Sequence, residues 1–256
     1  MIKSYFQCCG GYDNMEFSEV VFGRRSVRNF VEKPVEKEKI NQIVEAAIHA
    51  PSASNKQAWK FIIIDDERIK NVICEGNGSV VKAGSDIIAK APIGIMVLYR
   101  NDVSKNYLQY KDTIQSAAAA IQNMQLMAYS LGIGACWICK LPLQKNLKKL
   151  LNIPKFYDVI AYVALGYPKA DLDDHTIKHF GNDINEAIKR KRKYAIDNVV
   201  SYNLYKENNE CKETYKNVKL ACALQYLQLK IKKNDKKSIM SFLLKNILFM
   251  LGEKWA

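Results

Sequence analysis

Apolar and polar positions change period several times along the chain, and the changes mark out its elements. Ile40, Ile43, Val44, Ala47 and Ile48 recur at the i, i+3, i+4, i+7, i+8 spacing of one helix face, between Pro34 and Pro51, which predicts a helix over 35–49. Short apolar runs at 27–31, 59–64, 91–99 and 158–166 predict strands. A further helix follows Met15-Glu-Phe-Ser, another spans 144–151, and a short helical or irregular stretch lies between the second and third strands. The longest helix is predicted over 113–131, with Asp112 and Gln115 as a capping box and Gly132 as its stop. Its interior, Ala117 to Ile121 with Met124, Leu126, Met127 and Ala128, is apolar on nearly every side, so it must be buried on more than one face. The small alanines suit either a close helix neighbour in a monomer core or a dimer contact. Helices and strands alternate without a repeated βαβ length or a Gly-x-Gly-x-x-Gly turn, which excludes a Rossmann domain and leaves an α+β sandwich with a mixed sheet.

The two ends of the chain differ from its middle. Met1 to Asn14 reads as an extension, residues 15–180 as the patterned domain and 181–256 as a basic, helical C-terminal extension. In the latter, Asn182 to Lys193 is a charged helix candidate, Glu207 to Lys219 is polar, and Ser238 to Trp255 is amphipathic through Ile239, Phe242, Leu243, Ile247, Phe249 and Met250. Such an apolar stripe suits packing on a subunit or core better than contact with an anionic membrane. Of the net charge of +13, nine units lie between Lys178 and Ala256, where 17 Lys and Arg face 8 Asp and Glu. No zinc-ligand spacing or RNA-recognition signature accompanies them, so no nucleic-acid partner is expected; the charge suits anionic cofactors or solubility. No apolar run approaches the eighteen or so residues of a membrane span, and the first ten residues lack a signal-peptide core, so a cytoplasmic location is expected. Seven cysteines without a repeated spacing fit that compartment as free thiols.

Two short segments carry the candidate chemistry. If Arg24-Arg-Ser-Val-Arg28 is extended, Arg24, Ser26 and Arg28 share one face while Arg25 and Val27 share the other. Arg24 and Arg28 are then roughly 13 Å apart, suited to a long ligand with a phosphate at one end and an electron-rich ring at the other. Taken alone, the pentapeptide also fits a solvated basic strand. Pro51-Ser-Ala-Ser-Asn55 is a loop of short donors and acceptors between the second helix and the strand at 59. Cys136-Trp-Ile-Cys139 has a dithiol spacing but follows a helix instead of opening one, against a thioredoxin-like role. His49, His175 and His179 make no metal set, since no His-Glu-x-x-His arrangement is present. Neither a nucleophile elbow nor a Walker loop is found.

Jointly these segments resemble the nitroreductase-like FMN-dependent oxidoreductase family, whose members carry Arg-x-Ser-x-Arg/Lys and Pro-Ser-x-x-Asn-x-Gln-Pro-Trp blocks. Leu131-Gly-Ile-Gly-Ala-Cys-Trp-Ile138 and Ala161-Tyr-Val-Ala-Leu-Gly-Tyr-Pro168 are similar to its later blocks, in the right order, so the likeness runs from about Glu16 to Pro168. Two departures stand out. Ala58 occupies the usual proline position, and Lys169-Ala-Asp-Leu-Asp-Asp follows Pro168 where the family has a basic, proline-containing stretch with a last phosphate ligand. The resemblance implies a homodimer with two FMN at its interface. Arg24 and Ser26 would bind phosphate with help from Arg25, and Arg28 would face the flavin N1/O2 edge. Pro51, Ser52, Ala53, Ser54 and Asn55 would reach the flavin of the other subunit, while backbone around Trp137, Ile138 and Cys139 would run beneath the ring and donate to N5. It also implies ping-pong transfer from NADH or NADPH to a nitro-aromatic, quinone or other small-molecule electron acceptor, with no side chain as obligatory acid or base. The missing phosphate ligand keeps a second reading open, a degenerate flavin-fold binding or scaffold protein using its basic tail.

Overall fold

The computed structural model describes residues 15–75, 85–103, 111–169, 200, 201 and 203. Its elements lie in the first of the chain's two units, Met1–Ala187. In chain order they are α1 (Phe17–Gly23), α2 (Lys37–Ile48), β1 (Trp59–Ile64), α3 (Glu67–Cys74), α4 (Ser85–Lys90), β2 (Ile93–Arg100), α5 (Asp112–Ser130), β3 (Gly134–Ile138), α6 (Gln144–Leu150) and β4 (Tyr157–Gly166). A single 3-10 turn, Ala53–Asn55, precedes β1. The predicted helices after 113 and 144 and the strands at 59, 91 and 158 therefore form within two residues of their expected limits. The C-terminal helix candidates, His175 and His179 lie outside the described residues.

The four strands form one sheet in the order β1-β2-β4-β3, antiparallel at every pairing. Among the described residues, mixed character survives only in an isolated parallel bridge between Ser26 and Ala135. Strand alternation sorts the core into two layers. Ile93, Ile95, Val97 and Tyr99 of β2 face α2 and α5, whereas Met96 and Leu98 face the cluster built by α3, α4 and α6. Every residue from Ile93 to Tyr99 is buried, as a central strand covered on both faces requires. In β4, Ile160 is an extra residue, because Val97 pairs with Ala161 and Leu98 with Val159.

Helix α5 crosses the upper face beside α2. Ala117, Ala120, Ile121, Met124 and Ala128 are wholly buried there, and Asn123 Nδ2 donates to Ala46 O across the two helices at 3.0 Å. The alanine face thus serves close packing inside this chain. The expected capping box is absent. Lys111, in a left-handed conformation, is the N-cap, and Asp112 is the first helical residue, its Oδ1 accepting from Thr113 N and its Oδ2 paired with Lys56. An ion pair with a distant loop has taken the carboxylate that local patterning assigned to the cap. At the other end Gly132 turns the chain at φ +70°, a left-handed position suited to glycine, and leads directly into β3.

Two further expectations differ from the structure. Residues 27–31 do not make a strand; around them the backbone forms only isolated bridges, Ser26–Ala135 and Phe30–Pro168, among the described residues. Conversely, β3 went unpredicted, since Ile133-Gly-Ala-Cys-Trp-Ile138 is short and glycine-flanked and reads as a loop until β4 is beside it. Gly134 permits the close approach of the two segments, because a Cβ there would fall 2.8 Å from Val27 Cβ. Gly134→Ala is expected to lower unfolding stability by about 1–3 kcal/mol through overpacking, measured by urea denaturation; an unchanged midpoint would show that Val27 yields freely.

Candidate functional site

The arginine segment begins where α1 stops. Gly23 ends the helix against the ring of Tyr129, on the last turn of α5, where a Cβ would lie 2.4 Å from the phenolic oxygen. Arg24 then turns extended, at φ −52° and ψ 134°. The chain proceeds along the outer edge of β3, with Val27 N donating to Ala135 O at 2.9 Å. It is next stitched to the end of β4, where Val31 N donates to Tyr167 O and Lys169 N to Asn29 O, at 2.9 and 3.0 Å. Lys33 lies over the Tyr167 ring, 4.1 Å from its centroid, and Lys39 Nζ donates to the Tyr167 hydroxyl at 3.0 Å. That hydroxyl in turn donates to Glu36, which holds the Glu36 carboxyl below its ordinary value.

Arg24, Ser26 and Arg28 are half-buried. Among the described residues, neither guanidinium and not the Ser26 hydroxyl has a hydrogen-bond or ion-pair partner. Arg25 is different. Its Nη1 donates to Phe22 O at 2.6 Å and to Arg24 O at 2.9 Å, folding the side chain back over the C-terminal carbonyls of α1. A helix cap therefore engages the guanidinium that the resemblance assigned to phosphate support.

Beyond Ala135, β3 runs on with β4 on one side only. Because backbone groups alternate in direction along a strand, the amide of Trp137, like the carbonyl of Ala135, points to the outer edge. Trp137 lies two residues past the bridged Ala135, as Arg28 lies two past Ser26, and the bridge is parallel. The Trp137 ring packs against the upper core, and its Nε1 is buried without a partner. Ile138 is buried in the lower core and Cys139 is exposed past the strand end. Arg24, Ser26, Arg28, Trp137, Ile138 and Cys139 thus come together on one sheet edge.

Pro51, Ser52, Ala53, Ser54 and Asn55 do not join them. Their loop enters β1, the opposite edge strand, with Ala58 O accepting from Arg100 N. It docks on the first turns of α5, where Ala53 N donates to Ser116 Oγ at 3.1 Å and Lys56 Nζ meets Asp112 Oδ2 at 3.2 Å. Nineteen residues make α5 about 28 Å long, and three strand spacings add about 14 Å sideways. Ser54, Asn55 and Gln57 all have positive φ, at 53°, 52° and 46°. Such left-handed non-glycine positions cost on the order of 1–3 kcal/mol each and persist where surroundings enforce them. Ser116, which grips this loop from α5, escaped notice in the sequence, and Asp112, the partner of Lys56, was read there only as a cap; the one available signal for Ser116 is a serine opening an alanine run in a buried helix.

A sequence profile of the Nitroreductase family matches residues 21–167, more than half of the chain. The chain belongs to the nitroreductase family. A protein of Archaeoglobus fulgidus that carries the provisional name NADH dehydrogenase/NAD(P)H nitroreductase is 33% identical over 161 residues, covering 62% of this chain and 88% of its own. The crystal structure of a nitroreductase family protein from Clostridium novyi NT is similar at TM-score 0.56 and 29% identity, over 61% of this chain and 87% of that one. A provisionally assigned nitroreductase from Desulfovibrio desulfuricans, solved in complex with FMN, shares the fold at TM-score 0.55 and 23% identity, over 75% and 99% of the two chains. Among the described residues of this nitroreductase family member, no group of acidic, histidine or cysteine side chains could hold a metal, and no helix is long and apolar enough to cross a membrane.

The Cys136–Cys139 spacing makes no dithiol site in this chain. Cys136 points into the lower core at 3% exposure, whereas Cys139 stands in solvent past the strand end. Iodoacetamide applied to the folded protein is expected to alkylate Cys139 well ahead of Cys136 and Cys74, and the order should vanish in denaturant. Peptide mass spectrometry reads the rates, and equal labelling of Cys136 in the folded protein would contradict its burial.

Proposed function

We propose that this chain is an FMN-dependent oxidoreductase that works as a homodimer. The observation that carries the reading is the pair of half-buried guanidiniums, Arg24 and Arg28, which have no hydrogen-bond or ion-pair partner among the described residues and lie on the segment bridged to the outer edge of β3. Partly buried cations are ordinarily paired, because burial weakens their hydration. An anionic ligand lying along this edge would supply the missing partners. The donor set fits FMN: two guanidiniums and a hydroxyl in a row, with an outward-facing amide beside them.

Arg24 and Ser26 would hold the phosphate, Arg28 would meet the N1/O2 edge of the ring, and the backbone around Trp137, Ile138 and Cys139 would run beneath it with an amide facing N5. The chemistry such a group supplies when bound is acceptance of a hydride from NADH or NADPH and its delivery, in ping-pong order, to a nitro-aromatic, quinone or other small acceptor. The chain's residues provide binding and orientation. Arg28 supplies fixed positive charge where negative charge would gather, and β3 holds the amide row rigid. Pro51 to Asn55 dock on the first turns of α5 and enter the β1 edge of the sheet, whereas Arg24 follows the contact of Gly23 with the last turn of α5 and the segment runs beside β3, the opposite edge. A loop so placed serves a flavin only if that flavin sits on a second copy, which supports the homodimer.

Replacing Arg24 by Ala is expected to weaken FMN binding by about 1.5–3 kcal/mol, the range for hydrogen bonds to charged groups, in a fluorescence titration of the apoprotein. Unchanged affinity would remove the phosphate assignment, and failure of the unaltered protein to bind FMN would favour a degenerate scaffold. Arg28→Leu should keep most of its flavin yet slow reduction by NADH or NADPH in anaerobic stopped flow. An unaltered rate with flavin still bound would sink the charge-stabilising role.

A further inference from the structure

We propose that Ser116 of α5, which lies outside every block of the family resemblance, is the positioning residue that holds the Pro51–Gln57 loop in its binding conformation. The inference rests on the preceding reading, in which this loop completes a flavin site on a second copy. It answers a specific difficulty. Three of the four residues Ser54–Gln57 are left-handed and none is glycine, so a short polar loop would not keep this path unaided.

The restraints on the loop differ in quality. Ser52 Oγ accepts from Gln57 N at 3.1 Å, and Gln57 Nε2 donates to Asn55 Oδ1 at 3.0 Å, but both bonds are exposed and internal to the loop, so they cannot place it. The Lys56–Asp112 pair does tie it to α5, through side chains 29% and 21% exposed that salt can screen. Ser116 is 4% exposed. Its Oγ donates to Asp112 O at 2.7 Å and accepts from Ala53 N at 3.1 Å, so the hydroxyl is oriented at both ends. Ala53 immediately precedes the first left-handed residue. Fixing its amide therefore sets where the Ser54–Asn55 turn begins, and the fixed point belongs to a helix buried across the sheet.

The residue type supports the assignment. Four alanines follow Ser116, and alanine is also the better helix former at this position. A serine bonding its own i−4 carbonyl brings the helix no gain. Its hydroxyl earns a use only through the Ala53 amide, a contact to the loop and not to the core.

The test uses the full chain, with FMN titrated into apoprotein by flavin fluorescence. Ser116→Ala should raise the FMN dissociation constant up to about tenfold, the span of one neutral hydrogen bond, while the apo melting temperature moves by no more than about 2 °C. Ser116→Thr, which keeps the hydroxyl, should restore affinity. Chains carrying Arg24→Ala and chains carrying Ser116→Ala are then co-expressed with different tags and isolated as mixed dimers. Because the two lesions fall on the same site in trans, the mixed dimer should show one site of full affinity per two chains. Wild-type affinity in Ser116→Ala, no full-affinity site in the mixed dimer, or parallel loss of apo stability in both Ser116 variants would each overturn the proposal while leaving the flavin reading intact. Absence of FMN binding by the unaltered protein, or binding by a monomer, would overturn both.

Discussion

Burial of α5 across the upper face of the sheet is the constraint on which the rest depends. Ala117, Ala120 and Ala128 let the helix lie close to α2 and to the central strands, and Ile121 and Met124 lock it there. From that fixed rod both parts of the candidate site take their positions. Its last turn meets Gly23 through Tyr129 and passes by way of Gly132 into β3, which carries the arginine segment. Its first turn receives the Ala53 amide on Ser116 and the Lys56 ammonium on Asp112. One part meets its first turn and the other begins at its last.

Electrostatics explains why the arginine edge is chemically poised. Other charged groups nearby are matched: Lys39 with Glu36 and Tyr167, Lys33 over the Tyr167 ring, Arg25 on the carbonyls that end α1. Arg24 and Arg28 have no hydrogen-bond or ion-pair partner among the described residues. Two cations held by the backbone of one segment cannot relieve each other, so an anion is their natural complement. Edge strands are ordinarily covered or charged to prevent stray pairing. The edge of β3 is covered at Ala135 by Val27 and, among the described residues, has no backbone partner at Trp137.

The antiparallel sheet, the dense alanine contact and the left-handed loop follow different physical rules. Packing decides the first two, and a few hydrogen bonds from buried positions decide the third. A loop with three unfavourable backbone positions is more sensitive to the loss of one anchor than a strand with neighbours on both sides, which is why the grip of α5 on it matters more than its own polar contacts.

Periodicity and apolar runs by themselves determined most of the element order, because a buried helix face or a two-sided strand leaves its mark within a few residues. The paired motifs at Arg24–Arg28 and Pro51–Asn55 likewise pointed to a phosphate-bearing cofactor, since side-chain chemistry and spacing are local properties. What needed the tertiary structure was non-local. β3 exists because β4 lies beside it, and five residues around two glycines carry no such information. Residues 27–31 fail to be a strand because the partner edge accepts them at only two points. Asp112 left the helix cap for an ion pair with Lys56, 56 residues away in sequence. Arg25 turned back onto the carbonyls that end α1, away from the phosphate role that the resemblance implied. Most of all, that the Pro51–Asn55 loop docks at the first turns of α5 while Gly23, just before Arg24, meets its last turn is a statement about three-dimensional position, which no order of motifs along a chain contains.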